Sequence, residues 1–203
     1  MLIGLTGDVG AGKSTVAAWL GGRGAAVCDA DRLVHGLLAG QGPIVDAVAA
    51  AFGPAVRGDN GIDRAALARA AFADAEALRR LEQIVHPAVI AAVEAWLADQ
   101  EGGIAVIEAV RLVESGMAPR CDAVWLVIAD RAVRRARVAG RGWSPSEIGR
   151  RMAAATPLDQ RLAASDVVID NSGPWLATLA QLERAWQGLA AKAAETPAEE
   201  QRL

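Results

Sequence analysis

A glycine-rich stretch near the start of the chain constrains its fold more than any other feature. Residues 4–16 read GLTGDVGAGKSTV, and the part from Gly7 to Ser14 matches the pattern G-x-x-x-x-G-K-[ST] at all eight positions. The apolar run Leu2–Thr6 precedes this pattern, and a helix-forming stretch that begins at Lys13 follows it. A strand, a glycine loop and a helix in this order predict an α/β fold with a nucleotide-phosphate site at the loop.

The residue types of the loop suit phosphate chemistry. Glycines allow backbone N–H groups to close around phosphate oxygens, a lysine neutralises phosphate charge, and a serine hydroxyl can hold Mg²⁺. We therefore expect nucleotide phosphates to be bound by a continuous run, namely Gly10, Ala11, Gly12, Lys13, Ser14 and Thr15. Asp8 at the tip of the loop is expected to point to solvent, because its carboxylate would otherwise face phosphates.

Length and composition fit one α/β domain with an insertion. The chain has 203 residues, of which 53% are hydrophobic, so it can form a full core. The formal charge of −3 provides no general attraction for nucleic acid. Cys28 and Cys121 are too few for a disulfide framework, and no export signal or membrane span is evident. We expect a cytoplasmic protein, a monomer or small homo-oligomer, that binds neither nucleic acid nor membrane.

Apolar runs and turn residues predict the order of the elements. The predicted strands are Leu2–Thr6, Ala25–Cys28, Ile104–Ala109, Ala123–Ile128 and Val167–Ile169. Residues 32–100 contain no convincing strand and are interpreted as a helical cap, with helices over 32–39, 43–52, 63–73 and a pair around His86–Pro87. A basic helix over 131–141, a closing helix from about Pro174 and a polar tail over 195–203 complete the chain.

Two aspartates follow the second predicted strand. Asp29 and Asp31 are two positions apart, so on extended backbone their carboxylates would face the same side. The carboxyl end of a strand in an open α/β sheet is where ligands bind, so one carboxylate can act as a base and also meet Mg²⁺. The alternative is a helix N-cap, for which aspartate is favoured. The nearby phosphate loop favours catalysis.

The basic helix indicates a lid that closes over phosphates. Arg134, Arg137 and Arg141 recur at three- and four-residue spacing, and Gly140 and Gly142 flank the last of them. Fixed cations on a segment that can hinge are what such a lid requires, and Arg141 is the best single candidate. The alternative is a solvated helix face.

Together these motifs resemble the dephospho-coenzyme A kinase family. The resemblance runs from Leu2 to about Gly173. Besides the loop it includes DAD at 29–31, GIDRAALARAAF at 61–72, LEQIVHP at 81–87, R-x-R-V-x-x-R-G at 135–142 and DVVIDNSG at 166–173. It implies a three-layer P-loop NTPase fold with a parallel sheet, a helical substrate-binding cap over 32–100 and a small lid over 131–155.

The resemblance also implies a reaction and residue roles. The reaction is transfer of the ATP γ-phosphate to the ribose 3′-hydroxyl of dephospho-coenzyme A. Asp31 would be the base and a Mg²⁺ ligand together with Ser14, while Lys13 would hold phosphates. Arg64 and His86 would bind the acceptor in the cap; from the residues alone, His86–Pro87 is equally well a helix-breaking turn. Arg141 would close from the lid, and Asn171 would lie near adenine.

Two departures from the family pattern leave alternatives open. Where the family has Pro-Leu-Leu-Phe-Glu, this chain has VRLVE at 110–114, and Ala155 stands where the family tends to have glutamine. One alternative is a divergent relative that binds nucleotide with little catalysis. Another is a kinase of the same fold for a different nucleoside or nucleotide acceptor.

Overall fold

The computed structural model describes residues 1–71, 73–100, 102–144, 146, 148–149, 152 and 157–195. Its contacts divide the chain into two compact units. The first unit comprises Met1–Val27 and Gly102–Leu203, and the second comprises Cys28–Glu101. The predicted position Ala155 and the tail beyond residue 195 lie outside the described residues.

The elements follow the predicted order closely. The strands are β1 Leu2–Gly7, β2 Ala26–Asp29, β3 Arg57–Gly58, β4 Gly61–Ile62, β5 Ala105–Glu108, β6 Ala123–Ile128 and β7 Val167–Asp170. The helices with described bounds are α1 Lys13–Gly22, α2 Ala30–Leu37, α3 Pro43–Phe52, α4 Arg64–Ala71, α5 Ala75–Ala98, α6 Arg131–Ala139, α7 Leu158–Ala163 and α8 Trp175–Glu195. All five predicted strands are confirmed to within one or two residues.

The main sheet has five strands in the order β2-β5-β1-β6-β7, and all of them except the last two residues of β2 belong to the first unit. The pairs β1–β5, β1–β6 and β6–β7 are parallel. Every residue of β5 and the first five of β6 are buried, as expected for strands covered on both faces. Side chains of α1 and α8 complete the core with those of the sheet, for example Val16, Leu20 and Leu182. The predicted P-loop α/β fold is therefore correct.

The second unit is helical with one small hairpin. Helix α5 packs against α2, α3 and α4, and Val85, Val89 and Val93 are buried on its inner face. The prediction that 32–100 contains no strand is wrong at one place, because β3 and β4 pair antiparallel. Each has two residues, too short for an apolar alternation to be recognised, and Gly61 adopts a φ of 102° that suits a turn.

A single helix replaces the predicted pair around His86–Pro87. Helix α5 continues through Pro87, although proline removes one backbone hydrogen bond from a helix. Val85 and Val89, before and after Pro87, are both buried on the inner face of α5. Their burial stabilises the helix in spite of the lost hydrogen bond. By length and composition α5 is apolar enough to cross a membrane, a test that core helices of globular proteins also pass.

The basic helix ends earlier than predicted. Helix α6 stops at Ala139, with Gly140 as its C-cap, so Arg141 lies just beyond the helix and is exposed. Val138 of α6 is buried, which anchors the last turn of the helix in the first unit. The remainder of the predicted lid over 131–155 is only partly within the described residues.

Candidate active site

The glycine loop between β1 and α1 has the backbone that a phosphate site requires. Gly10 and Gly12 have φ angles of 81° and 101°, a left-handed region that favours glycine. The Ala11 N–H donates to the Asp8 carbonyl at 3.0 Å, which closes the loop as a turn. Lys13, the first residue of α1, is buried. The N-terminus of α1 therefore opens directly onto the loop.

Close contacts with Asn171 and Arg134 exclude any side chain at Gly12 and Gly10 of the loop. A Cβ atom on Gly12 would lie 2.2 Å from Nδ2 of Asn171, and one on Gly10 would lie 2.8 Å from the carbonyl oxygen of Arg134. The glycines of the motif are thus required by close approach as well as by backbone conformation.

Ser14 has an acidic partner that the sequence analysis missed. The Ser14 hydroxyl donates to Oε1 of Glu108 at 2.8 Å, and Glu108 is buried at the carboxyl end of β5. Strand β5 is the immediate neighbour of β1 in the sheet, which brings the ends of the two strands together. An acidic residue closing the apolar run IAVIE was the available signal. The pair provides oxygen atoms of the kind that Mg²⁺ prefers.

Asn171 supports the loop. Its side chain is buried; Nδ2 donates to the Ala11 carbonyl at 2.8 Å, and Oδ1 accepts from the Thr178 hydroxyl at 3.0 Å. Both ends of the amide are therefore engaged by the protein. Sequence reasoning named this residue as an adenine neighbour, whereas its visible contacts are to the loop and to α8.

Arg137 contributes a second support from α6. Its guanidinium donates to three main-chain carbonyls, those of Gly10 at 3.4 Å, Ala11 at 3.1 Å and Asn171 at 2.8 Å. These contacts tie α6 and the end of β7 to the loop. The spacing of arginines in the sequence singled out this helix but favoured Arg141, the exposed one.

Asp8 does not point to solvent, and that expectation is wrong. Its carboxylate pairs with Nη1 of Arg134 at 2.6 Å and with Nη1 of Arg161 at 2.9 Å. The side chains are mostly buried, with exposed fractions of 16% for Asp8, 14% for Arg134 and 5% for Arg161. Two arginines from separate helices satisfy the acid, a partnership that no local spacing reveals.

The loop after β7 is fixed by its own polar contacts. Oδ1 of Asp170 accepts from the hydroxyl and the N–H of Ser172, at 2.6 and 2.8 Å. These hydrogen bonds, the hydroxyl first, lower the pKa of Asp170. The stability they contribute is present above the ordinary aspartate pKa, and it is lost as the pH falls through the lowered one.

The DAD aspartates occupy different kinds of backbone. Asp29 ends β2 and is the N-cap of α2, where its carboxylate accepts from the Arg32 N–H at 3.1 Å. Asp31 is the second residue of α2 and is exposed. The expectation of two carboxylates side by side on extended backbone is therefore wrong, because the helix begins at Ala30. The N-cap alternative is correct for Asp29 alone.

The other predicted acceptor residues also belong to the second unit. Arg64 is the first residue of α4 and is exposed. His86 lies within α5 and is half-buried. Thus the predicted phosphate-binding residues belong to the first unit, and the predicted acceptor-binding residues belong to the second.

Comparison with known proteins points to one family. A family model described as dephospho-CoA kinase matches residues 1–176. A curated relative from Symbiobacterium thermophilum, named dephospho-CoA kinase, is 45% identical over 193 residues, which cover 92% of this chain and 80% of that protein.

Solved structures agree on the fold. The crystal structure of a protein from Thermus thermophilus superposes with a TM-score of 0.80 at 35% identity, covering 95% of this chain and 97% of that one. Dephospho-CoA kinase from Campylobacter jejuni gives a TM-score of 0.68 at 20% identity, covering 95% of this chain and 98% of that one. At the latter identity the likeness concerns the fold alone.

Proposed function

The chain belongs to the dephospho-CoA kinase family, and we propose that it transfers the γ-phosphate of ATP to the ribose 3′-hydroxyl of dephospho-CoA, using the loop and the residues around it. The observation that carries this proposal is the complete phosphate loop with its Ser14–Glu108 hydrogen bond of 2.8 Å. A loop of this kind binds phosphates, and an acid beside its serine suits the metal that accompanies them.

The residues present fit a magnesium ion. In P-loop enzymes Mg²⁺ is held by the loop serine and by an acid at the end of a neighbouring strand. Ser14 and Glu108 provide that donor set on α1 and β5. When bound with ATP, the ion would neutralise charge on the transferring phosphate. Asp31, named from the family resemblance, is a further candidate ligand.

The chain's own residues divide the remaining tasks. Lys13 neutralises phosphate charge, and the N–H groups from Gly10 to Thr15 orient the phosphate oxygens. Asp31 accepts the proton of the 3′-hydroxyl, so that the oxygen can attack phosphorus. Arg141 stabilises the charge of the transferring group, while Arg64 and His86 bind the acceptor. Phosphoryl transfer requires mainly such positioning and charge neutralisation from a protein.

The proposed reaction also assigns roles to the helical cap and to the lid. Residues 32–100 form the cap for dephospho-CoA, and residues 131–155 form the lid. The protein works in the cytoplasm as a monomer or small homo-oligomer, with no nucleic-acid or membrane partner.

Direct assay tests the function. Purified protein, ATP, Mg²⁺ and dephospho-CoA are incubated, and CoA is measured by chromatography. Adenosine and AMP are offered in parallel as acceptors. CoA formation over many turnovers is expected; phosphorylation of another acceptor at a higher kcat/KM would favour the same-fold alternative. Nucleotide binding without any transfer would favour the divergent relative.

Lys13→Ala is expected to weaken ATP binding and turnover together. The lysine is buried at the loop and meets phosphate charge in the ground state as well as in the transition state. Titration with a fluorescent ATP analogue measures the affinity, and CoA formation measures kcat. Undiminished affinity in a folded variant would show that phosphates bind elsewhere.

Glu108→Gln is expected to raise the Mg²⁺ concentration needed for half-maximal activity by about tenfold or more, because removal of metal-site partners costs affinity on that scale. The amide can still accept from Ser14, so the hydrogen bond that shapes the loop is retained. Activity is measured across a magnesium titration at fixed ATP. An unchanged magnesium requirement would remove Glu108 from the metal site.

A further inference from the structure

Two consecutive hydrogen bonds join helix α8 to the phosphate loop. The hydroxyl of Thr178, the fourth residue of α8, donates to Oδ1 of Asn171 at 3.0 Å. Nδ2 of Asn171 in turn donates to the Ala11 carbonyl at 2.8 Å. Thr178 is 0% exposed and Asn171 is 5% exposed, so both polar side chains are removed from water. We call these two side chains the Thr178–Asn171 relay.

The relay determines which way the amide of Asn171 points. An amide has a donor end and an acceptor end, so its two orientations are not equivalent. The donor end faces the Ala11 carbonyl, and the reversed amide would place two oxygen atoms against each other. The Thr178 hydroxyl supplies the proton that the acceptor end needs, and it also lies 3.4 Å from the Asp170 carbonyl. Only one orientation of the amide therefore gives both of its ends a suitable partner.

The relay also fixes one peptide plane of the loop. The Ala11 carbonyl accepts from Nη1 of Arg137 at 3.1 Å as well, so donors from two different elements meet it. In a planar trans peptide the N–H points away from the preceding carbonyl, so these contacts turn the Gly12 N–H to the opposite side. Gly12 is the N-cap of α1 with a φ of 101°, and glycine backbone rotates easily unless its neighbours fix it. The relay therefore orients one N–H donor at the start of α1.

From these contacts we propose that Thr178 is a positioning residue for the phosphates of ATP. It acts through Asn171 and keeps the Gly12 N–H turned toward the phosphates before the nucleotide arrives. Donors that are already oriented raise affinity, because less of the loop has to be ordered when the ligand binds. This inference rests on the proposed function of the loop as the ATP phosphate site.

A purely structural role explains the hydroxyl less well. Leu182 and Leu189 lie on the same face of α8 as Thr178 and are also buried, so an apolar residue at position 178 would continue that face. A buried hydrogen-bonded pair contributes little net stability compared with apolar groups of the same shape. An apolar side chain, however, cannot direct an amide. The hydroxyl is therefore explained by the orientation of Asn171 rather than by packing.

Thr178→Val tests the proposal, because valine has nearly the shape of threonine and lacks the hydroxyl. We expect the Kd for ATP to rise about three- to tenfold, the factor that one net hydrogen bond corresponds to. The KM for ATP should rise by the same factor and kcat should stay within about twofold, because the Gly12 N–H meets phosphate in the ground state and the transition state alike. Thr178→Ser keeps the donor and should return the Kd to within about twofold of wild type.

Inorganic tripolyphosphate distinguishes this role from recognition of the adenine base. It carries phosphates and no base, and its affinity is measured by displacement of the fluorescent ATP analogue. Positioning of the loop predicts that Thr178→Val weakens binding of tripolyphosphate and of ATP by the same factor. Weakened binding of ATP with unchanged binding of tripolyphosphate overturns the proposal, since the relay would then act on the base.

Two further variants test whether the effect passes through the relay. In an Asn171→Ala background, Thr178→Val should cost no further ATP affinity, as expected for residues that act through one another. Gln181→Met is the matched control, because Nε2 of Gln181 joins α8 to the Asp170 carbonyl of β7 at 2.8 Å, a link that does not include the loop. Its ATP affinity should stay close to wild type. Equal losses in Gln181→Met and Thr178→Val would indicate general loosening of α8 and overturn the proposal.

The remaining outcomes also decide the matter. Weaker binding of both probes with rescue by Thr178→Ser supports the proposal. Unchanged affinity in Thr178→Val, or independent effects of the substitutions at 171 and 178, overturns it. If circular dichroism shows that Thr178→Val does not fold, Thr178→Cys is measured instead, because a thiol is a weaker donor. Weaker binding of both probes then supports the proposal, and wild-type affinity overturns it.

Failure of the proposed function would be recognised separately. A wild-type protein that forms no CoA refutes that function, whereas both titrations measure phosphate binding without turnover. The effect of Thr178→Val on the two affinities therefore tests the relay whichever acceptor the kinase uses.

Discussion

Asp31→Asn is expected to lower kcat by about 10²- to 10⁴-fold, the range contributed by general base catalysis. The affinity for ATP should stay within a few-fold of wild type, because a base acts in the chemical step and contributes little to binding of the nucleotide. Asparagine has the same shape but cannot accept the proton. Turnover and ATP affinity are measured on the same preparation.

Asp29→Asn is a matched control two residues away. Asp29 is the N-cap of α2, and asparagine caps helices as well as aspartate does. The control should therefore keep a near-normal kcat. If Asp31→Asn also keeps it, the base lies elsewhere in the chain, and the resemblance has assigned the wrong residue.

Arg141→Ala is expected to lower kcat much more than it raises the KM for ATP. The residue is exposed just beyond α6, between Gly140 and Gly142, where the backbone can move. An arginine that reaches the transferring phosphate contributes about 10³–10⁵ in rate in other enzymes, which we take as the upper bound here. Arg141→Lys should recover only part of the loss, because an ammonium keeps the charge without the two-pronged geometry.

Arg135→Ala provides the comparison for Arg141. Arg135 is an exposed arginine of α6, so this variant removes the same charge from the same segment. Its kcat should stay close to wild type. Equal losses in both variants would indicate a general effect of positive charge, and a wild-type kcat in Arg141→Ala would leave Arg141 as part of a solvated surface.

The sequence predicts most of the fold because its signals are local. The strand, loop and helix around Lys13 are recognised from thirteen consecutive residues. The later strands are recognised as apolar runs between glycines or acids. The prediction fails where burial overrides a local rule. Proline at position 87 favoured a break, yet α5 continues because its apolar face remains packed.

The candidate site is only half visible in the sequence. The loop residues form one contiguous motif, so they are found at once. Glu108 and the supports Arg137 and Asn171 act through contacts made across the sheet, and a spacing pattern carries no information about such contacts. Asp8 was predicted to point to solvent because an acid beside phosphates is unfavourable. In the structure it pairs with Arg134 and Arg161, which no local pattern in the sequence predicts.

The support of the loop by distant residues has a consequence for synthesis on the ribosome. The Ala11 carbonyl accepts from Arg137 and Asn171, which follow it by 126 and 160 residues. Contacts of such large sequence separation close late, since each requires a long loop of chain to be ordered. The motif is therefore made well before its binding geometry is completed, which happens only after β7. ATP can then stabilise by mass action only a chain that has been made past β7, and it leaves shorter nascent chains without that support.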